Sequence, residues 1–202
     1  VAQDLAASCD VLVQNHKPGG LTRFGLDYES TSAINPAVVY CSISGFGSGE
    51  GRDLPGYDLL VQAMGGLMSI TGDAEPTKAG VAVVDVLTGL HATVGILAAL
   101  RHREQTGAGQ HLEVSLLASL LSSLVNQSSA YVAAGVVPER MGNAHPSIAP
   151  YDLFATADRP MIIAVGNDAQ FRRLAEVLQL DDNPAYRTNT DRVSHRDALK
   201  ED

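Results

Sequence analysis

Asp85 is the side chain in this sequence that is best placed for covalent chemistry. It follows a short, strand-like apolar run at residues 81–84 and opens a long helical pattern. An aspartate there can cap the helix, because its carboxylate accepts the first free backbone N–H groups and stabilises the helix by about 1 kcal/mol. It can also act as a nucleophile, because a carboxylate with a pKa near ~4 is ionised at neutral pH and needs no base. The two interpretations are compatible.

Polar residues at the end of the first apolar run are candidates for binding an anionic ligand. Asn15 and His16 end this run, and Arg23 follows shortly after. An open parallel sheet binds its ligands beyond the carboxyl ends of its strands, where these residues would lie. Arg23 is also compatible with a solvated surface cation. Arg52 and Lys78 are weaker candidates for phosphate binding.

The composition narrows the class of protein. Of 202 residues, 45% are hydrophobic and 18% charged, which is typical of a globular chain with a buried core. Acidic residues number 23 against 14 basic ones, and the net charge of −9 argues against a nucleic-acid partner. The two cysteines and the scattered histidines have no zinc-type spacing and form no disulfide framework, so we expect no metal and a cytoplasmic location.

No stretch of the sequence is long and apolar enough to predict a membrane span. The longest candidates, residues 81–100 and 112–137, are interrupted by charged, amide and imidazole side chains. We therefore expect two core helices and no membrane partner.

Two short apolar runs separated by a helix-length segment predict a βαβ unit. The runs cover residues 10–15 and 37–44, and residues 27–34 lie between them, followed by Asn35-Pro36. Because both runs are almost continuously apolar, they are typical of parallel strands that are buried on both faces.

The rest of the chain continues as helices and then changes character. Helical spacing covers residues 57–70, and the helix that opens at Asp85 reaches about residue 100 before Gly107. The apolar pattern restarts at residues 110–117 and continues as a second long helix to about residue 136.

A loop-rich segment begins near Pro138, and His145 within it is as compatible with a structural role as with a substrate contact. Residues 151–155 and 161–165 then predict a β-hairpin, and Asn167 predicts the cap of a helix to about residue 180. We therefore expect an α/β parallel-sheet domain over residues 1–138, followed over residues 139–202 by a linker and the beginning of a smaller α+β domain.

Several motifs in series resemble the family III CoA-transferases, which include carnitine and formate CoA-transferases and α-methylacyl-CoA racemases. The similarity covers nearly the whole chain. The motifs that carry it are Asn15-His-Lys-Pro-Gly, Ser44-Gly-Phe-Gly, Gly56-Tyr-Asp, Val84-Asp-Val-Leu-Thr-Gly, Thr106-Gly-Ala-Gly-Gln and Gly142-Asn-Ala-His-Pro. The resemblance implies a Rossmann-like large domain, incomplete here, and a chain that is a central fragment of a protein about twice as long.

The resemblance also implies a reaction and its site residues. Asp85 matches the family's nucleophile, which attacks an acyl-CoA thioester and then carries CoA as an aspartyl thioester until a carboxylic acid accepts it. Asn15, His16, Arg23 and Tyr57 would contact coenzyme A, the substrate, with no metal, nicotinamide or flavin. The partners implied are an acyl-CoA, a carboxylic acid and, at full length, a second copy in an interlocked homodimer.

Tyr57 distinguishes transfer from racemisation. The family's racemases carry a histidine at this position, because racemisation by two bases needs titratable groups on both faces of the α-carbon. A tyrosine, with an ordinary pKa near ~10, is a poor substitute at neutral pH. Tyr57 therefore favours a CoA-transferase. The alternatives are an α-methylacyl-CoA racemase or epimerase, and a non-catalytic CoA-binding fragment.

Overall fold

Two of the predicted apolar runs form neighbouring strands in the computed structural model, which describes all residues from Val1 to Asp202. Strand β1 (Val11–Gln14) pairs with β2 (Val39–Ser44), and β2 pairs with a third strand, β3 (Gln110–Ser115). All three strands are parallel and lie in the order β1-β2-β3. The predicted α/β class with a parallel sheet is confirmed.

Strand β3 corrects the sequence analysis, which places the restart of a helical pattern at these residues. His111 and Glu113 are exposed, whereas Leu112 and Val114 beside them are partly buried. This alternation has the two-residue period of a strand, and it is short enough to be obscured by the apolar helix that follows.

Seven helices complete the part of the chain that contains this sheet. Asp27 caps the second of them, because its side chain accepts a hydrogen bond from the Ser30 backbone N–H at 2.8 Å. The expected single helix over residues 57–70 is two helices, separated at Gly66, whose φ of +88° is a conformation that other residues rarely adopt. The helices are α1 (Ala2–Ala6), α2 (Tyr28–Ile34), α3 (Asp58–Met64), α4 (Leu67–Ile70), α5 (Val83–Thr106), α6 (Leu116–Ser123) and α7 (Val125–Ala134).

Helix α5 begins two residues before Asp85 and continues past residue 100 to Thr106, where Gly107 ends it with a φ of +76°. The strand-like interpretation of residues 81–84 is wrong, because the helix already starts at Val83. The helix contacts β2 and β3. In its first turn, Val84 packs in a core with Val61 of α3 and with Leu116 and Leu120 of α6.

By length and composition, α5 could cross a membrane, so the expectation that no such stretch exists is wrong on this measure. A core helix of a water-soluble protein can have the same length and composition, and one such helix is weak support for a membrane span. Only one face of α5 is buried here. The large apolar side chains on its other face are exposed: Val86, Leu90, Val94 and Leu97.

The chain divides into two units. The first comprises Val1–Ile70 and Thr77–Pro138, and the second comprises Thr71–Pro76 and Glu139–Asp202. The assignment of residues 1–138 to a CoA-binding domain, and of residues 139–202 to a linker and a small domain, stays a prediction.

The second unit contains the predicted hairpin and helix. Strands β4 (Tyr151–Phe154) and β5 (Met161–Ala164) pair antiparallel, and helix α8 (Asp168–Leu178) begins at the cap residue Asn167. Two short helices follow, α9 (Asn189–Ser194) and α10 (Arg196–Glu201).

Candidate active site

A cavity of about 640 Å³ opens at the carboxyl ends of β1 and β2, where an open parallel sheet binds its ligands. Five segments of the first unit surround it: the loop after β1, the end of β2 with the loop after it, the segment that leads into α3, the first turns of α5, and the start of α6. The residues that line it are Asn15, His16, Lys17, Pro18, Ile43, Ser44, Gly45, Phe46, Gly47, Arg52, Asp53, Leu54, Pro55, Gly56, Asp85, Thr88, Gly89 and Leu116.

Asp85 lies in the first turn of α5 and lines the cavity. It is not the cap of the helix, which corrects that interpretation. The backbone N–H groups of Val84 and Asp85 donate instead to Oδ1 of Asp58, at 2.8 and 3.3 Å. No hydrogen bond from the protein engages the Asp85 carboxylate, so its oxygens are available for an incoming substrate.

The surroundings of Asp85 raise the pKa of its carboxyl group above the usual value. Desolvation by neighbouring protein atoms is the larger cause, and the negative charge of Asp58 is the second. Both disfavour the ionised form. As the pH falls, the Asp85 carboxylate is therefore protonated, and stops being a nucleophile, at a higher pH than a fully solvated aspartate.

Two of the predicted ligand-binding residues, Asn15 and His16, line the same cavity as Asp85. Both follow β1 directly, so the end of the strand fixes their place. The backbone N–H of His16 also donates to Oε1 of Gln14 at 2.7 Å, which holds the turn after the strand.

Two cations line the cavity as well. Lys17, which the sequence analysis does not single out, forms an exposed ion pair with Asp53 at 2.9 Å. Arg52, a weaker candidate in that analysis, donates to the Pro18 carbonyl at 3.5 Å. Lys17 directly follows Asn15 and His16 in the sequence, and this adjacency could have predicted that it lines the same cavity. Lys78, the other weak candidate, donates to backbone carbonyls outside the cavity lining.

The other two predicted ligand-binding residues, Arg23 and Tyr57, are not among the residues that line the cavity. Arg23 belongs to a 3-10 turn after β1, and its guanidinium lies 4.5 Å from the centre of the Phe24 ring. Tyr57 immediately precedes α3 and is 71% exposed. Its neighbour Gly56 does line the cavity, so Tyr57 lies at the edge of the site.

Two glycines allow the walls of the cavity to meet. A Cβ atom added to Gly45 would lie 2.4 Å from Cα of Gly56, and one added to Gly56 would lie 2.7 Å from Cα of Gly45. Any side chain at either position would force the backbones apart. This contact places the segment that precedes Tyr57 and Asp58 against the end of β2.

Two other histidines, His145 and His91, do not line this cavity. His145, in the second unit, accepts a hydrogen bond from the Ser147 backbone N–H at 3.1 Å, and its carbonyl accepts one from Arg196 at 2.9 Å. These contacts support a structural role in its loop. His91 is exposed on α5 and lines a smaller cavity of about 290 Å³ together with Glu113 and several serines.

Comparison with known proteins identifies the class. The profile of CoA-transferase family III matches residues 1–202, and the chain belongs to this family. The resemblance drawn from the motifs is therefore confirmed. The chain spans about half the length of the curated relatives that it matches, so it corresponds to a fragment of those proteins.

The relatives are themselves named as CoA-transferases. The chain is 48% identical over 198 residues to succinate–glutarate CoA-transferase of Agrobacterium fabrum, covering 95% of this chain and 50% of the relative. It is 41% identical over 205 residues to succinyl-CoA:glutarate CoA-transferase of Mus musculus, covering 98% and 47%. It is 40% identical over 204 residues to acetyl-CoA:oxalate CoA-transferase of Acetobacter aceti, covering 98% and 52%.

Solved structures confirm the fold. A CAIB/BAIF family protein from Brucella suis is 46% identical and superposes with a TM-score of 0.84, covering 99% of this chain and 55% of that one. Rv3272 from Mycobacterium tuberculosis, at 23% identity and a TM-score of 0.86, covers 99% and 54%, and supports the fold alone. The three-stranded sheet is thus part of an incomplete Rossmann-like domain.

Proposed function

We propose that the protein to which this chain belongs moves CoA from an acyl-CoA donor to a carboxylic acid acceptor through covalent intermediates on Asp85. One observation carries the proposal: the Asp85 carboxylate lies at a cavity at the carboxyl end of the sheet and accepts no hydrogen bond from the protein. A carboxylate that is free of partners can attack a carbonyl carbon without a general base.

In the proposed reaction, an oxygen of Asp85 attacks the thioester carbonyl of the donor, the C–S bond breaks, and CoA leaves as a thiolate. The thiolate then attacks the Asp85 carbonyl of the resulting anhydride, which releases the donor acid and leaves an aspartyl-CoA thioester. The acceptor carboxylate attacks this thioester, CoA leaves again, and the thiolate attacks the acceptor carbonyl. The product acyl-CoA departs and Asp85 regains its carboxylate.

The cations at the cavity suit the anionic part of CoA. Lys17 and Arg52 bring positive charge to a chain whose net charge is −9, and both side chains can donate several hydrogen bonds to phosphate oxygens. Asn15 adds a neutral donor and acceptor beside them. We propose CoA contacts for Asn15 and His16, which line the cavity, for Tyr57 at its edge, and for Arg23, which lies on the turn after β1 outside the cavity lining.

The acceptor that we propose is a small dicarboxylic acid. The names of the relatives at 40–48% identity refer to succinate, glutarate and oxalate. The proposal extends this substrate class to the present chain, with coenzyme A as the carried group and with no metal, nicotinamide or flavin.

The complete protein is proposed to be a cytoplasmic, interlocked homodimer. Two features of the first unit support additional chain beside it. Strand β1 is at the edge of the sheet, where an unpaired strand is normally covered. The exposed apolar face of α5 also lacks a partner within this chain.

The test uses the full-length protein, with succinyl-CoA as donor and glutarate as acceptor. We expect Asp85→Ala to lower the transfer rate by at least about 10³-fold, the scale seen when a covalent nucleophile is removed. The control is Glu104→Ala, which removes an exposed carboxylate at the far end of the same helix. Substantial transfer by Asp85→Ala would contradict the covalent role.

A further inference from the structure

Helix α5 has no side-chain cap from its own N-terminal residues. The residue at the cap position is Ala82, whose methyl group accepts no hydrogen bond. The free N–H groups of Val84 and Asp85 donate instead to Oδ1 of Asp58, which precedes Asp85 by 27 residues. The carboxylate of another helix therefore caps the turn that presents Asp85.

Asp58 is itself held in place from the other side. Its second oxygen, Oδ2, accepts a hydrogen bond from Nε2 of Gln62 at 2.5 Å. Gln62 is fully buried, and its Oε1 accepts the backbone N–H of Ala79 at 2.8 Å. The donors and acceptors along this series are matched, so the amide of Gln62 has one orientation and Asp58 is fixed.

We propose that Asp58 is a positioning residue for the reaction of Asp85. This inference rests on the proposed function of Asp85. Asp58 fixes the backbone of the turn that carries Asp85, and it places a negative charge beside the reacting carboxylate. The buried amide of Gln62 serves Asp58 in turn, so both residues act through Asp85 and not on the substrate.

Charge at the site has sources besides Asp58. His16 lines the cavity at the end of β1, together with Lys17 from the following loop, and Arg52 and Asp53 line it from a 3-10 turn. Lys17 and Asp53 form an ion pair with each other. Asp58 differs from these groups because its carboxylate accepts the backbone N–H of Asp85 itself.

The substitution Asp58→Asn removes the charge and also breaks the series of hydrogen bonds. If the introduced asparagine keeps its oxygen on the helix, its amide group meets the amide group of Gln62, donor against donor. If either amide rotates, the mismatch moves to Val84 or Ala79. Adding Gln62→Glu removes the mismatch, because the introduced glutamate carboxylate accepts from the new asparagine and from the Ala79 backbone. The negative charge then lies farther from Asp85.

These variants, tested in the full-length enzyme, separate the effect of the Asp58 charge from the effect of its hydrogen bonds. For Asp58→Asn we expect a lower Tm, a kcat reduced by about 10-fold or more with little change in KM for acyl-CoA, and an acid limb of kcat/KM displaced to lower pH. The double variant should regain only part of the lost Tm, because the introduced carboxylate is fully buried, while its acid limb stays below that of wild type. Glu104→Gln, on the far end of α5, should change none of these.

The proposal is overturned if Asp58→Asn and the double variant keep the wild-type kcat and acid limb, since Asp58 would then be only structural. If Asp58→Asn does not fold, the double variant alone tests the proposal: an acid limb of kcat/KM at the wild-type pH would overturn it, and one at lower pH would support it. A failure of the proposed function has a different signature, because Asp85→Ala would then retain transfer whatever the Asp58 variants do.

Discussion

Replacing Arg192 by methionine should destabilise the second unit by about 3–8 kcal/mol. The guanidinium is fully buried and donates from Nε to the Ala149 carbonyl at 2.8 Å and from Nη1 to the Tyr186 carbonyl at 2.9 Å. Nη2 donates to the Asp168 carboxylate at 2.8 Å. The same group lies 4.3 Å from the centre of the Phe171 ring. Arg192 thus connects its own helix α9 with α8, with the backbone at Ala149 and with the backbone at Tyr186.

The size of this destabilisation follows from the polar groups that lose their hydrogen-bond partner when the guanidinium is removed. Methionine fills similar space but has no donor, so two carbonyl oxygens in buried surroundings lose their partner, at about 1–3 kcal/mol each. The side chain of Asp168 is 44% exposed and regains water, so the loss of that ion pair adds less than about 1 kcal/mol. The lost contact with Phe171 adds about 1 kcal/mol.

Native-state hydrogen exchange of the full-length protein measures this local stability. Amides of residues 168–199 should exchange about 10²-fold faster or more in Arg192→Met, at about 1.4 kcal/mol for each factor of ten. The matched control is Arg187→Met, which removes an exposed ion pair with Asp182 and should change exchange little. Equal effects of the two substitutions would refute the reasoning.

Three further predictions concern the first unit. Gly56→Ala should lower Tm, at a cost of about 1–3 kcal/mol, because the added Cβ would lie 2.7 Å from Cα of Gly45. Gly89→Ala is the control and should leave Tm unchanged, because its added Cβ meets no atom within 4 Å. A lower Tm for Gly89→Ala than for Gly56→Ala would be inconsistent with the packing described. Asp85→Asn should raise Tm at neutral pH, because desolvation and a neighbouring carboxylate raise the pKa of Asp85, so the ionised form costs stability. This gain should shrink as the pH falls through that pKa, and a lower Tm at neutral pH would argue against it. The full-length enzyme incubated with a chiral 2-methylacyl-CoA in deuterated water should incorporate negligible α-deuterium, because Tyr57 stands where racemases carry histidine; rapid exchange with inversion would instead indicate a racemase.

Local sequence patterns were sufficient for much of the fold. The first two strands, the hairpin of the second unit and the helix capped by Asn167 all have signals within a few residues: apolar runs, turn residues and a cap. Strand β3 was missed because its six residues merge into the apolar helix α6. The break at Gly66 was missed because the apolar spacing continues across it.

The site was predictable only in part, because its determinants are distant in sequence. Asp85 was found from its motif, but its cap is Asp58, 27 residues away, and no local pattern reveals a carboxylate that satisfies another helix. Lys17 and Arg52 reach one cavity from separate loops. Arg23 has the spacing of a ligand residue, yet its guanidinium lies over Phe24.

The most direct test of the central proposal is to trap the covalent intermediate. Full-length enzyme is incubated with acyl-CoA without an acceptor and then treated with hydroxylamine, which converts an activated aspartyl group into a hydroxamate. Peptide mass spectrometry should find this modification on Asp85, dependent on acyl-CoA and absent from the Asp85→Ala variant. An unmodified Asp85, or a hydroxamate on another residue, in an enzyme that transfers CoA at its full rate would contradict the account.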